Sequence, residues 1–149
     1  MQVKLIGQTA AHLLDENKLI ILPLFLSKVS AGFPSPAQDY IEQTLDLNQL
    51  CIQHPAATFF VRVEGDSMIE VGIFQDDILT VDRSLIPKHG EIVIACVNGE
   101  FTVKELSLKP TIALIARNKK YAPIYLKDGD NLDIFGVVTN VIRRMRKQS

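Results

Sequence analysis

Two residues in this sequence could carry out acyl-transfer chemistry if the fold brings them together. Ser67 lies in the run Gly65-Asp66-Ser67-Met68, and Lys104 ends the run Glu100-Phe101-Thr102-Val103-Lys104, 37 residues later (104 minus 67). A serine hydroxyl is a weak nucleophile until a base takes its proton. Lysine ordinarily titrates near ~10.4, too high to act as a base at neutrality, but burial disfavours the ammonium and lowers that value. Histidine is the commoner partner, yet none of His12, His54 and His89 has a sequence context that nominates it for a Ser-His-Asp arrangement. Nor do the histidines show ligand spacing of the HExxH kind, so no metal is expected, and the chemistry calls for no cofactor. Taken singly, each candidate has a plainer role: Asp66 or Ser67 capping a helix, Lys104 on an exposed strand face.

The elements that must position these residues are short β-type runs separated by turn residues: 58–63, 78–81, 91–97, 100–106, 111–116 and 133–142. They predict a mostly β fold of short twisted sheets in a partly closed barrel or sandwich. The first run leads through Glu64-Gly65-Asp66-Ser67 into a tight turn and a short helix. Backbone amides at Asp66 and Ser67 could there form an oxyanion pocket. Asn98-Gly99 lies between two strand-like runs and supplies the positive φ angles of a type I′ hairpin. A two-residue turn there makes partners sum to 197, so Val97 faces Glu100, Ala95 faces Thr102 and Val93 faces Lys104. Lys104 then shares a face with Thr102, Leu106, Val93 and Ala95, an apolar setting that would desolvate its amine.

The chain has 149 residues, 47% hydrophobic and 22% charged, about one domain's worth with enough apolar side chain for a core. Sixteen Lys and Arg against seventeen Asp and Glu give a net charge of -1, without the basic excess that draws a protein onto nucleic acid. Arg143, Arg144, Arg146 and Lys147 read as a solvated tail. The longest apolar stretch, 19–26, is interrupted by Pro23 and falls far short of the ~20 residues of a membrane span. Without a secretory signal pattern either, the chain is expected to be cytoplasmic. Cys51 and Cys96 lack CxxC spacing and read as buried thiols. Asp76 and Asp77 read as turn residues before a strand, and with Asp82 suggest a catalytic or metal cluster only weakly.

Toward the N-terminus, a short helix is expected over about 9–19. Ala31-Gly32-Phe33-Pro34-Ser35-Pro36 marks an extended, accessible boundary, and 39–50 fits either a helical turn or an extended arm.

Together these motifs resemble the self-cleaving serine peptidases of the LexA/UmuD family, and the UmuD type more closely. The resemblance runs over roughly residues 22–144. It includes Gly65-Asp66-Ser67-Met68, Gly32-Phe33-Pro34-Ser35-Pro36, Asp46-Leu47-Asn48-Gln49, His89-Gly90, Phe101-Thr102-Val103-Lys104 and Phe135-Gly136-Val137-Val138. It implies Ser67 as nucleophile, Lys104 as general base, amides of Asp66 and Ser67 as oxyanion donors, and cleavage between Ala31 and Gly32. It also implies a homodimer, a RecA filament on single-stranded DNA as trigger, and a UmuC-type error-prone polymerase as partner in the SOS response.

The expected organisation is a removable arm (1–31), an extended connector retained after cleavage (32–57) and a β-rich peptidase domain (58–149). From Gly32 to Thr58 the extended chain could span about 85 Å, enough to reach its own site or that of a second copy.

Three rival readings differ in class. A LexA-type repressor needs a helix-turn-helix domain that 31 residues broken by Pro23 hardly accommodate, so no sequence-specific DNA binding is expected. A leader peptidase would need a membrane anchor. A non-enzymatic β-rich interaction module would have no need of the small Ala31-Gly32 bond.

Overall fold

The computed structural model describes residues 2–8, 21–25, 41–127 and 132–146. They fall into two compact units. One contains β2 (Ile21–Phe25), β3 (Ile41–Asp46) and α1 (Leu47–Cys51); the other contains β1 (Gln2–Gln8) and the described residues from His54 onward.

In the smaller unit, β2 and β3 pair antiparallel, with Ile21 opposite Asp46 and Pro23 opposite Thr44. A two-stranded ladder is all edge, which is where a strand tolerates proline. The stretch 39–50 turns out to hold both states it suggested, a strand and then a helical turn. Asp46 makes the change of direction, its Oδ1 accepting the Asn48 N–H at 2.9 Å and so capping α1.

The larger unit is built on one antiparallel sheet. Its strands are β1, β4 (Thr58–Glu64), β5 (Ile78–Asp82), β6 (Ile92–Val97), β7 (Glu100–Ser107), β8 (Ala113–Ile115), β9 (Ile124–Tyr125) and β10 (Leu132–Ile142). Their spatial order is β1-β4-β5-β10-β6-β7-β8-β9, and the sheet curls until Gln2 of β1 pairs with Thr102 of β7. The mostly β, partly closed architecture expected from the sequence is the one observed. Each of the six strand-like runs is a strand; β1, β2, β3 and β9 are additional. The helix expected over 9–19 lies outside the described residues.

Two buried clusters hold the sheet. One joins Val61, Val63, Met68, Ile73, Leu79, Val81, Ile94 and Val103; the other joins Val93, Ala95, Leu106, Leu114 and Val137. Because side chains alternate along β6 and β7, these two strands feed both clusters, one from each face. β5 is buried from Leu79 through Asp82, with apolar Leu79 and Val81 alternating with buried polar Thr80 and Asp82.

The β6–β7 hairpin has the expected register, with Val97 opposite Glu100, Ala95 opposite Thr102 and Val93 opposite Lys104. Its turn residues Asn98 and Gly99 have φ of 50° and 87°, as a type I′ turn requires. In β10 the register against β6 shifts between Ile134 and Gly136. Gly136 sits so close to β5 that a Cβ would meet Val81 Cγ1 at 2.7 Å and the Asp82 carbonyl oxygen at 3.0 Å. Neighbouring Phe135 makes T-shaped contacts with Phe59 and Phe101 at centroid distances of 5.2 and 5.4 Å.

Candidate active site

β4 ends at Glu64, and Gly65, with φ of 96°, turns the chain sharply. Only glycine adopts that φ at no steric cost, so the turn can be tight enough to carry Ser67 back under the sheet. Ser67 and Met68 are both fully buried. The helix expected after them is a three-residue 3-10 turn, Ile69–Val71, ended by Gly72 at φ 82°. Asp66 and Ser67 therefore lie in the turn that precedes this short element. Among the described residues none accepts a hydrogen bond from the amides of Asp66, Ser67 or Met68.

Lys104 reaches this turn from β7. Its Nζ lies 3.1 Å from Ser67 Oγ, 2.8 Å from Thr102 Oγ1 and 3.2 Å from the Val103 carbonyl oxygen. The side chain follows the face shared with Val93 and Ala95, and only 4% of the residue is exposed. Burial pushes the amine below its usual pKa, toward the neutral form. A neutral amine has two N–H groups and one lone pair. Thr102 Oγ1 and the Val103 carbonyl can take the two N–H groups, which aims the lone pair at the Ser67 hydroxyl.

Side chains that sequence reasoning missed hold the serine turn in place. Asn118 Nδ2 donates to the Asp66 carbonyl at 2.8 Å, and Tyr121 OH donates to Asp66 Oδ1 at 2.5 Å. The same loop joins the far side of the turn: Glu70 N–H donates to the Arg117 carbonyl at 2.9 Å, and Lys119 N–H to Glu70 Oε2 at 3.1 Å. Arg117 in turn pairs with Glu105 of β7. Ser67 is thus clamped by one loop, 117–121, that is also anchored to the lysine's strand.

A second brace lies behind. Asp77, read from sequence as a turn residue, is a buried acid: it accepts from Arg143 Nε at 2.7 Å and Nη2 at 2.6 Å, and from the Phe74 amide at 2.8 Å. Burial alone would raise its pKa; the Arg143 guanidinium and the Phe74 amide outweigh that and leave the carboxyl below its usual value. Arg143 also stacks 4.4 Å over the Phe74 ring, so it is no part of a solvated tail. Arg144 and Arg146 are exposed, and Lys147 lies outside the described residues.

The remaining candidates separate from this site. His54 Nδ1 lies 2.6 Å from Asp82 Oδ2, and His89 Nδ1 accepts the Leu108 N–H at 2.9 Å. Asp82 further accepts from the Ser84 amide and hydroxyl. These are structural contacts; among the described residues no group of His, Cys, Asp and Glu could hold a metal. Cys51 and Cys96 are half-buried, where the sequence suggested full burial. His12, Ala31 and Gly32 lie outside the described residues. No described helix is long and apolar enough to cross a membrane.

Comparison with known proteins covers the serine turn, the lysine strand and the clamping loop. The sequence pattern of the family described as Peptidase S24-like matches residues 23–139. Protein SamA of Salmonella typhimurium (strain LT2) is 54% identical over 124 residues, 83% of this chain and 86% of SamA. Protein MucA of Escherichia coli is 50% identical over 121 residues, 80% of this chain and 82% of MucA. The LexA repressor of Acetivibrio thermocellus is 40% identical over 130 residues, 87% of this chain but 59% of the repressor. The matched span takes in serine turn, hairpin and clamping loop, and on that breadth the chain belongs to the peptidase S24-like family, in keeping with its UmuD-like pattern.

Proposed function

We propose that this chain is a UmuD-like, self-cleaving serine peptidase of SOS mutagenesis that cuts its own N-terminal arm between Ala31 and Gly32 by a Ser67/Lys104 pair. The observation that carries the reading is the 3.1 Å approach of a buried Lys104 Nζ to a fully buried Ser67 Oγ. No histidine among the described residues offers an alternative base there.

In the proposed reaction the neutral amine takes the Ser67 proton as Oγ attacks the Ala31 carbonyl carbon. The developing oxyanion is received by turn amides, those of Asp66 and Ser67, which engage no described acceptor. Collapse breaks the bond between Ala31 and Gly32, and the lysine returns its proton to the departing Gly32 amine. Water then hydrolyses the ester left on Ser67, releasing an acid at Ala31. Small residues on both sides of the bond let the backbone approach a buried serine, and Pro34 and Pro36 hold the following segment extended.

By the same reading the arm is 1–31, the connector 32–57 and the peptidase domain 58–149. The cut product is a homodimeric accessory subunit of an error-prone, UmuC-type polymerase in the cytoplasm, and a RecA filament on single-stranded DNA accelerates the cut. The identity to SamA and MucA over most of their lengths supports this reading.

The test is intact-mass analysis across neutral to alkaline pH, with and without RecA, ATP and single-stranded DNA, on wild type, Ser67→Ala and Lys104→Ala. Cleavage at Ala31-Gly32 alone, accelerated by pH or RecA and absent in both variants, is expected. A folded wild type that stays intact throughout would make the chain a non-enzymatic binding module.

A further inference from the structure

The first strand of the large sheet comes from the segment that the proposed cleavage would sever. β1 lies antiparallel on β4 with six register pairs, from Gln2 opposite Glu64 to Gln8 opposite Phe59. Its first residue also pairs with Thr102, two positions before Lys104 on β7. Without β1, β4 would keep only β5 as a ladder partner among the described residues. An open row of backbone N–H and C=O groups is a template for any extended segment.

β1 also closes part of the core. Val3 packs against the cluster that contains Val61, Ile94 and Val103. Val3, Val61, Ile94, Phe101 and Phe135 line a small apolar cavity, so Val3 is one wall of it. The strand therefore makes two kinds of contact at once, a backbone ladder along β4 and an apolar plug over the sheet's interior. Neither depends on the peptide bond between Ala31 and Gly32, which is 23 residues beyond the end of β1 (31 minus 8).

We propose that the groove beside β4, ending at Thr102 of β7, is a strand-binding seat, and that residues 2–8 remain in it as a non-covalently held strand after the chain is cut. The inference rests on the cleavage reading given above and adds a step to it. Scission converts an intramolecular strand into a bound peptide; departure of that peptide then exposes the β4 edge. The occupant is the chain's own N-terminal fragment, whose fit is the antiparallel register and the apolar residue at Val3.

The test uses the full chain in two forms. Wild type is left to cut itself. In parallel, Ser67→Ala carrying a sequence-specific protease site inserted between Ala31 and Gly32 is cut by that protease, so the seat is read independently of self-cleavage. Both are then passed through native size-exclusion chromatography and native mass spectrometry. Fragment 1–31 is expected to travel with 32–149 in both, and a labelled synthetic peptide of residues 1–10 to exchange for it.

Val3→Asp is expected to lower the retained fraction at least tenfold. Hydrogen exchange on the β4 amides reads the same seat without any substitution in it: they stay protected after the cut and lose protection only when the fragment is lost. A fragment that elutes alone, with β4 amides exchanging at the rate of a bare edge, overturns the seat. Retention in the protease-cut form with no self-cleavage in wild type overturns the peptidase reading and leaves the seat standing.

Discussion

Asn118 and Asp66, 52 residues apart in the chain, are joined by a 2.8 Å hydrogen bond from the Asn118 side-chain amide to the Asp66 carbonyl. The bond fixes the residue just before Ser67. Asn118 is itself held, since its Oδ1 accepts the Lys120 N–H at 3.1 Å and only 6% of the residue is exposed. Asn118→Ala leaves that carbonyl without its donor, at an expected cost of about 1–2 kcal/mol in urea denaturation. Self-cleavage slows, and the midpoint of its pH profile stays put because nothing around Lys104 changes. A moved midpoint would show that the clamp acts on the base and not on the serine turn.

The pH dependence follows from Lys104. Its amine titrates below the ordinary 10.5 because burial penalises the ammonium. Between the folded and unfolded values the unfolded chain binds the extra proton, so stability rises with pH through that window. Cleavage rises over the same range, with a midpoint below 10.5. Lys104→Met is expected to abolish cleavage while stabilising the fold by about 1–3 kcal/mol at neutral pH, because a charge no longer has to be buried or discharged. A thermal midpoint below that of wild type would contradict this.

Thr102 tunes the same amine from 2.8 Å. Thr102→Val removes an oxygen that favours the ammonium, so the pH midpoint of cleavage shifts downward. The plateau rate falls by about tenfold, because the lone pair loses one of the contacts that aim it. A rate–pH series separates the two effects, and a midpoint that moves upward would argue against Thr102 as a partner of the charged amine.

Arg143 and Asp77 brace the loop behind the serine. Arg143→Ala strands a carboxylate that is 1% exposed. The variant is expected to be less stable than wild type, by less than the loss of a fully enclosed pair because the guanidinium is partly in water. Asp77 titrates below its ordinary 3.8, so its contribution is present above that value and disappears as pH falls through the lower, folded one. Acid unfolding of wild type and Arg143→Ala, followed by circular dichroism, checks both magnitude and direction.

Much of the site was legible because it depends on local signals. Asn98-Gly99 announces the turn, the turn sets the register, and the register assigns Lys104 to the face of Val93 and Ala95. The meeting of that face with Ser67 came from resemblance, since nothing local links residues 37 apart. The same limit hid the clamp and the brace. Asn118, Tyr121 and Arg143 find their partners 52, 55 and 66 residues away, and a lone polar residue in a loop or tail carries no trace of such a contact.

β1 was a different kind of miss. Val3 and Leu5 alternate with Gln2 and Lys4, but four residues are too short a pattern to mark a strand within a segment read as an arm. Pro23 likewise interrupted an apolar run without preventing a strand, because a two-stranded ladder has an open side for it.

The hairpin also fixes what kinds of genetic change the site can survive. Val103 and Lys104 are adjacent but point into different buried clusters, so the count of residues from Gly99 decides which of them meets the serine. A substitution along this stretch perturbs one contact. Loss of a single codon between Gly99 and Lys104 swaps the two faces of the strand, driving the amine into the Val61 and Ile94 core and presenting a neighbour to Ser67. Away from Ser67, Thr102 and Lys104 this stretch therefore tolerates spelling errors better than frame-preserving deletions, and its history should record more of the first than of the second.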